Sequence, residues 1–285
     1  MSLIKQFQID IPRQVTDALL EDLGGKIDAQ SDITAMLIDA DTQMQAKIIT
    51  REPAVICGIE WANEVFRQVN PSVQLEWLCK DGERVECDQT LVNILGNARS
   101  ILTAERSALN FLQTLSATAT TTALYVDAIK HSKTKLLDTR KTLPGMRQAQ
   151  KYAVACAGGV NHRMGLYDAF LIKENHIDAC KGIENAVSKA KSMYPGLPIE
   201  VEVENLDELR QAINSGVNTI MLDNFSTKLI EEAVLINAQR CKLEVSGNIT
   251  IERLQELAAT GVDYISSGAL TKHVNAIDLS LITYS

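Results

Sequence analysis

Six short apolar runs, each closed by polar residues, punctuate the second half of the chain: KLLDT (135–139), AFLIKEN (169–175), IEVEVEN (199–205), NTIMLDN (218–224), KLEVSGN (242–248) and YISSGAL (264–270). Between them lie stretches of helical period built from good helix formers. LDELRQAINSG reads to a stop at Gly216, and TIERLQELAATG starts on Thr250 and stops at Gly261. Strands that alternate with helices run parallel, because each helix returns the chain to the same edge of the sheet. Six such units in roughly 140 residues favour a barrel or near-barrel over an open sheet.

The first half has no such rhythm. QMQAKIITREPAVICG, VQLEWLCKDGERV and TLVNILGNA are strand-like, NEVFRQVN is helical, and Asp81-Gly82 signals a turn that makes part of the region antiparallel. Residues 103–131 read as long helical material, with a possible break near Ser116. These features divide the chain into an N-terminal α/β domain over 1–115 and an α/β barrel over 116–274. No stretch has the form of a signal peptide, and no run of 18 apolar residues occurs that would span a membrane. The six cysteines are scattered, without Cys-x-x-Cys spacing, which fits reduced thiols in the cytoplasm better than a zinc site.

Charge is distributed unevenly. The chain carries a formal charge of -8, yet between Lys130 and Lys173 nine Lys or Arg face two acids, Asp138 and Asp168. An acidic protein with one basic window is not a general nucleic-acid binder; it has a local anion site. In a parallel barrel that site forms where the strands end, because the loops there converge on one mouth. The ends offer Thr139, Arg140 and Lys141; then Lys173; then a carboxylate among Glu200, Glu202 and Glu204; then Asp223; then Ser246, Gly247 and Asn248; and finally Ser267, Gly268 and Ala269. Small-residue turns let backbone N–H groups approach a phosphate. Carboxylates on adjacent strands suit a hydrated Mg2+ shared with a phosphorylated substrate, and Arg forks recognise carboxylates. Lys173, flanked by apolar residues, needs a partner for its ammonium. From the residues alone, an enzyme for a phosphorylated substrate with a metal-bound pyrophosphate and a carboxylated acceptor, an anion-sensing barrel and an aldolase-like Schiff-base enzyme on Lys173 all remain open.

DTRKTLPGMR (138–147) and NHRMGLYDAFLIKENHI (161–177), with LLEDLGGKIDAQSDITA (19–35), LTAERSALNFLQTLSATAT (102–120), IEVEVENLDEL, IMLDNFS, LEVSGNIT and VDYISSGALTKHVNAIDLSL (262–281), carry a resemblance that runs nearly end to end. The chain resembles the quinolinate phosphoribosyltransferase family. The resemblance implies an N-terminal α/β sandwich, a phosphoribosyltransferase-type barrel and a segment 275–285 that returns to the first domain. It implies a homodimer, or a higher oligomer, that joins quinolinate to phosphoribosyl pyrophosphate with Mg2+. Quinolinate's carboxylates would be held by Arg140, His162 and Arg163, with Lys173 nearby and Arg106 reaching in from a second copy. Lys141 and Lys173 would neutralise the pyrophosphate, Glu202 and Asp223 would serve the metal and ribose, and Ser246, Gly247, Asn248, Ser267, Gly268 and Ala269 would cradle the 5-phosphate. Glu202 is taken as the inward acid from its distance to Leu206.

Overall fold

A computed structural model describes residues 9–247 and 249–284, and the chain divides into two compact units. The first runs to Thr121 and takes in Gln148–Ala157 and the segment from Val274. Its strands are β1 (Gln43–Thr50), β2 (Ala54–Val55), β3 (Gln74–Trp77), β4 (Arg84–Val85), β5 (Thr90–Asn97) and, from the far end of the chain, β12 (Leu279–Tyr284). β1 lies between β12 and β5, antiparallel to both, and β3 borders β5. Register sets Ala46 opposite Ile94 and Ile48 opposite Val92, and all four are buried, so one face of this sheet is core.

The helix Ile11–Asp22 begins where Asp10 accepts from the Arg13 amide at 3.2 Å and Pro12 fixes the first turn. Its Ile11, Val15 and Leu19, spaced by four, are buried. It packs on the helix Ile59–Val69, whose Trp61 indole donates to Gln14 at 2.7 Å. Asp81 and Gly82 do make a turn, but the strands beside it, β3 and β4, lie in separate ladders and do not pair with each other. The Asp81 carboxylate instead accepts from Gly58 N at 3.0 Å and Ile59 N at 3.1 Å, satisfying orphan donors at the start of Ile59–Val69. Its other oxygen accepts from the Tyr152 hydroxyl at 2.6 Å.

Residues 98–128 form one helix with no break at Ser116. The Ser116 hydroxyl is spent on a neighbouring segment, 3.0 Å from Cys57 N and 3.2 Å from Cys57 O, so it does not compete for its own helix backbone. That unbroken helix runs across the boundary between the compact units, which lies at Thr121–Thr122, several residues beyond the expected 115. The helix Arg147–Cys156, which the sequence reading leaves with the barrel, belongs largely to the first unit. There Tyr152 meets both Asp81 and the Trp61 ring, whose centroid is 5.4 Å away.

The second unit holds β6 (Lys135–Leu137), β7 (Phe170–Ile172), β8 (Ile199–Val203), β9 (Thr219–Asp223), β10 (Lys242–Ser246) and β11 (Tyr264–Ser266). They match the six apolar runs and form one parallel sheet in the order β6-β11-β10-β9-β8-β7. Among the described residues β6 and β7 share no ladder, so the barrel is open along that seam. The connecting segment joins β6 through a bridge between Leu137 and Val160. Alternation sorts the strands into two faces. Val201, Val203, Ile220, Leu222, Leu243, Val245 and Ile265 are buried apolar residues, each worth ~1.5–3 kcal/mol when fully withdrawn from water. The intervening positions, among them Glu202, Asp223, Glu244 and Ser246, border a cavity.

The helices that return the chain are set by local capping. Asn205 accepts from the amides of Asp207 and Glu208, Ser226 from Leu229, and Thr250 from Arg253, starting Leu206–Asn214, Thr227–Asn237 and Ile251–Ala258. Gly216, with φ 66°, and Gly261, with φ 90°, follow the helix ends in the left-handed region that glycine tolerates. Among the described residues no helix is long and apolar enough to cross a membrane.

Candidate active site

The ends of the parallel strands border one cavity of about 580 Å³. Its cationic side is built by two segments sewn together. Val160 N donates to Leu136 O at 2.9 Å, and Asp138 N donates to Val160 O at 3.2 Å. Asp138, fully buried at the end of β6, accepts from Asn161 Nδ2 at 2.5 Å and from His162 N at 2.9 Å. A second carboxylate, Asp168, accepts from Met164 N at 2.7 Å and Gly165 N at 3.0 Å, folding the following loop. Arg163 is aimed by a bond from Nη1 to Ala169 O at 3.2 Å. The two acids of the basic window are thus scaffolding for its cations.

Arg140 and Arg163 both border the cavity. Burial, followed by the charge of Arg140, lowers the proton affinity of Arg163 below the usual guanidinium value. The Nε of Arg140 is buried with no hydrogen-bond partner. A guanidinium held beside another guanidinium with an idle N–H is poised for an anion. Across the cavity Lys173 pairs with Glu202, which supplies the partner its apolar flanks demand. Asp223 on the adjacent strand accepts from Asn224 Nδ2 at 2.8 Å. Glu202 and Asp223, two oxygen donors on neighbouring strands and one cavity wall, fit the chemistry of Mg2+.

Of the residues singled out from sequence, Thr139, Arg140, Lys141, His162, Arg163, Lys173, Glu202, Asp223, Ser246 and Gly247 line this cavity together. Ser267, Gly268 and Ala269 follow β11. Ser267 Oγ accepts from Ala269 N at 3.2 Å, and Lys141 lies so close over Gly268 that an added Cβ would stand 2.8 Å from its Cδ. Lys141 is further fixed where its carbonyl accepts from Thr271 Oγ1 at 2.8 Å. Arg106 is exposed on the helix Ala98–Ala128, in the first unit. Asn248 lies outside the described residues.

The sequence reading missed two cavity-lining groups, Glu244 and Ser266, and left Glu200 as an alternative to Glu202; the structure turns Glu202 to the cavity and Glu200 to His162. His162 Nδ1 accepts from Arg163 N at 2.8 Å, and Nε2 lies 2.8 Å from Glu200 and 3.6 Å from Glu244. Both ring nitrogens therefore have protein partners. Glu244 is 1% exposed; burial, then the charge of Glu200, pushes its carboxyl up to about 8 against the opposing pull of His162. The signal was present in KLEVSGN. An acid inside an apolar strand of a parallel sheet is as anomalous there as in IEVEVEN.

Two family models match the chain: quinolinate phosphoribosyl transferase, N-terminal domain, over residues 32–116 and its C-terminal domain over 118–282. This chain belongs to that family. A solved structure of the nicotinate-nucleotide pyrophosphorylase from Francisella tularensis is 51% identical, covers 96% of each chain and superposes with a TM-score of 0.92. The carboxylating nicotinate-nucleotide pyrophosphorylase of Mycobacterium leprae is 38% identical over 285 residues, covering 98% of this chain and 99% of its own. A chloroplastic carboxylating relative from Arabidopsis thaliana is 39% identical, covering 95% of this chain and 82% of its own.

Proposed function

We infer that the chain transfers the phosphoribosyl group of phosphoribosyl pyrophosphate to quinolinate and decarboxylates the product, giving nicotinate mononucleotide, pyrophosphate and CO2 for NAD biosynthesis. Family membership carries the reaction. The observation that carries the assignment of the cavity is the Arg140–Arg163 pair with its idle N–H, a receptor for the carboxylates of a dianion. In this reading Arg140 and Arg163 hold quinolinate. His162, committed to Glu200, shapes the floor beneath it. Arg106 enters from a second copy of the chain in a homodimer. Lys141 and Lys173 neutralise phosphoribosyl pyrophosphate, and Ser246, Gly247 and Asn248 with Ser267, Gly268 and Ala269 take its 5-phosphate.

The pyridine nitrogen attacks C1 of the ribose as the bond to pyrophosphate breaks. No side-chain nucleophile is required, and the protein's work is positioning and electrostatics. Positive charge gathers on the ribose, where Glu202 and Asp223 face it, while Lys141 and Lys173 meet the leaving group. Mg2+, held through Glu202 and Asp223, would supply additional charge to the departing pyrophosphate. With the ring nitrogen quaternary, the 2-carboxylate leaves as CO2, since the adjacent positive nitrogen stabilises the electron pair left on C2. Six free thiols accord with a reducing cytoplasm.

The test is to supply Mg2+, phosphoribosyl pyrophosphate and quinolinate labelled in the 2-carboxylate. Label should appear in CO2 only when all three are present. Nucleotide formed from nicotinate, with no label released from quinolinate, would replace the dicarboxylate reading with a monocarboxylate one.

A further inference from the structure

The reaction inferred above leaves one atom unaccounted for. When the C2–CO2 bond breaks, its electron pair stays on C2, and the product requires a proton there. The cavity holds few groups able to give one. Guanidiniums such as Arg140 and Arg163 do not give up protons in water, Lys141 and Lys173 are assigned above to the pyrophosphate, with Lys173 also tied to Glu202, and Glu202 and Asp223 to the metal and ribose. His162 accepts at Nδ1 from Arg163 N, so its hydrogen sits on Nε2, which is turned toward Glu200 at 2.8 Å. Glu244 remains.

Resting on that reading of the cavity, we propose that the Glu244 carboxyl is the acid that delivers the proton to C2 after CO2 departs. Glu244 borders the cavity, and its Oε1 is buried without a hydrogen-bond partner. Its Oε2 stands 3.6 Å from His162 Nε2, whose nearer neighbour is Glu200. Two buried carboxylates on either side of one imidazole cannot both be ionised cheaply. Glu200 accepts the imidazole N–H, and Glu244 is the one left to carry a proton. Burial and the Glu200 charge hold that proton up to about 8, which keeps it in place at neutral pH yet transferable to a strongly basic carbon. In the step the Glu244 O–H bond breaks, the electron pair on C2 takes the proton, and the resulting carboxylate is reprotonated from solvent once product leaves. The groups acting on Glu244 are Glu200 from β8, His162 from the connecting loop and the Ser266 hydroxyl from β11, while Arg140, Lys141, Arg163, Lys173, Glu202 and Asp223 line the same cavity.

The discriminating variant is Glu244→Gln, which retains the shape and neutrality of the protonated side chain. A merely structural Glu244 would be replaced by Gln without loss. Wild type is first shown to release label from the 2-carboxylate; silence there defeats the reading of the cavity and not the role of Glu244. In single turnovers E244Q should form pyrophosphate at the wild-type rate while nicotinate mononucleotide forms about 100-fold more slowly, with both KM values within about threefold of wild type. Equal slowing of both products, or nucleotide formation within about threefold of wild type, overturns the proposal. Should the variant not fold, wild type suffices. Its nucleotide-forming step should slow at least about twofold in D2O and lose rate as pH rises through about 8, with pyrophosphate release unaffected. A rate of nucleotide formation flat from pH 6 to 9 is incompatible with Glu244 as donor.

Discussion

Replacing Arg140 by Ala tests whether the cationic wall exists for a ligand or for the fold. In the free protein Arg140 has an idle buried N–H and a like-charged neighbour whose proton affinity it depresses. Removing it therefore takes away repulsion and an unsatisfied group, and the fold should be no less stable. The bound state tells the opposite story. A carboxylate loses a charge-assisted fork worth ~1.5–3 kcal/mol, which corresponds to a rise of roughly 10- to 150-fold in the KM for quinolinate. Arg163, relieved of its neighbour, recovers part of its charge stabilisation, so the lower half of that range is expected. Initial rates against quinolinate at saturating phosphoribosyl pyrophosphate, paired with a thermal melt, read both sides. The KM for quinolinate should climb while Tm holds or rises. A KM within about twofold of wild type, or a Tm lowered by more than about 3 °C, would show that Arg140 is structural and would refute the reasoning.

Glu202→Gln removes the partner of Lys173 and, in the proposed reading, one carboxylate facing the ribose; kcat should fall ~100-fold or more, and excess Mg2+ should not restore it in a titration. Gly268→Ala drives a methyl to within 2.8 Å of Lys141 Cδ, so Lys141 must shift; the KM for phosphoribosyl pyrophosphate should rise roughly tenfold with the KM for quinolinate little changed. If Arg106 serves the cavity of a second copy, Arg106→Ala and Arg140→Ala chains, each deficient, should regain activity when mixed after reversible dissociation, and a mixture as inactive as its parts excludes the exchange. Glu244 ties stability to pH as well as chemistry. Its carboxyl is raised from 4.5 to about 8, so the native state binds the extra proton, and stability present below pH 4.5 is lost as pH climbs to about 8. The Tm of E244Q relative to wild type should therefore widen across that window and level off above it.

The barrel half of the fold was legible because period and punctuation agreed. Each of six apolar runs became a strand, and three of the intervening helices opened on a side chain that capped them, as Thr250 shows. The first half was less legible because its signals served distant partners. Asp81-Gly82 read as a turn within antiparallel structure, yet Asp81 answers to a helix start twenty-two residues earlier in the chain and to Tyr152 seventy-one residues later. Ser116 looked like a helix break, yet its hydroxyl belongs to Cys57. At the cavity, the charges that attract a ligand stood out by sign. The Glu200–His162–Glu244 cluster did not, because its meaning lies in three segments meeting. The acids inside KLEVSGN and IEVEVEN were its sequence-level hints.

The helix Arg147–Cys156 separates, in sequence, the two segments that bring Arg140 and Lys141 on one side and His162 and Arg163 on the other. That helix keeps company with the first unit, where Tyr152 lies against Trp61 and bonds Asp81. The chain consequently passes between units four times, at Thr121, Arg147, Ala157 and His273. Such wiring forbids modular inheritance. A gene fragment beginning at residue 122 would encode the parallel strands and every cation of the cavity wall, but it would leave Tyr152 without the ring and the carboxylate it was shaped to meet. The two halves of this protein can diverge in sequence, but neither can be shuffled into another architecture without carrying the other along.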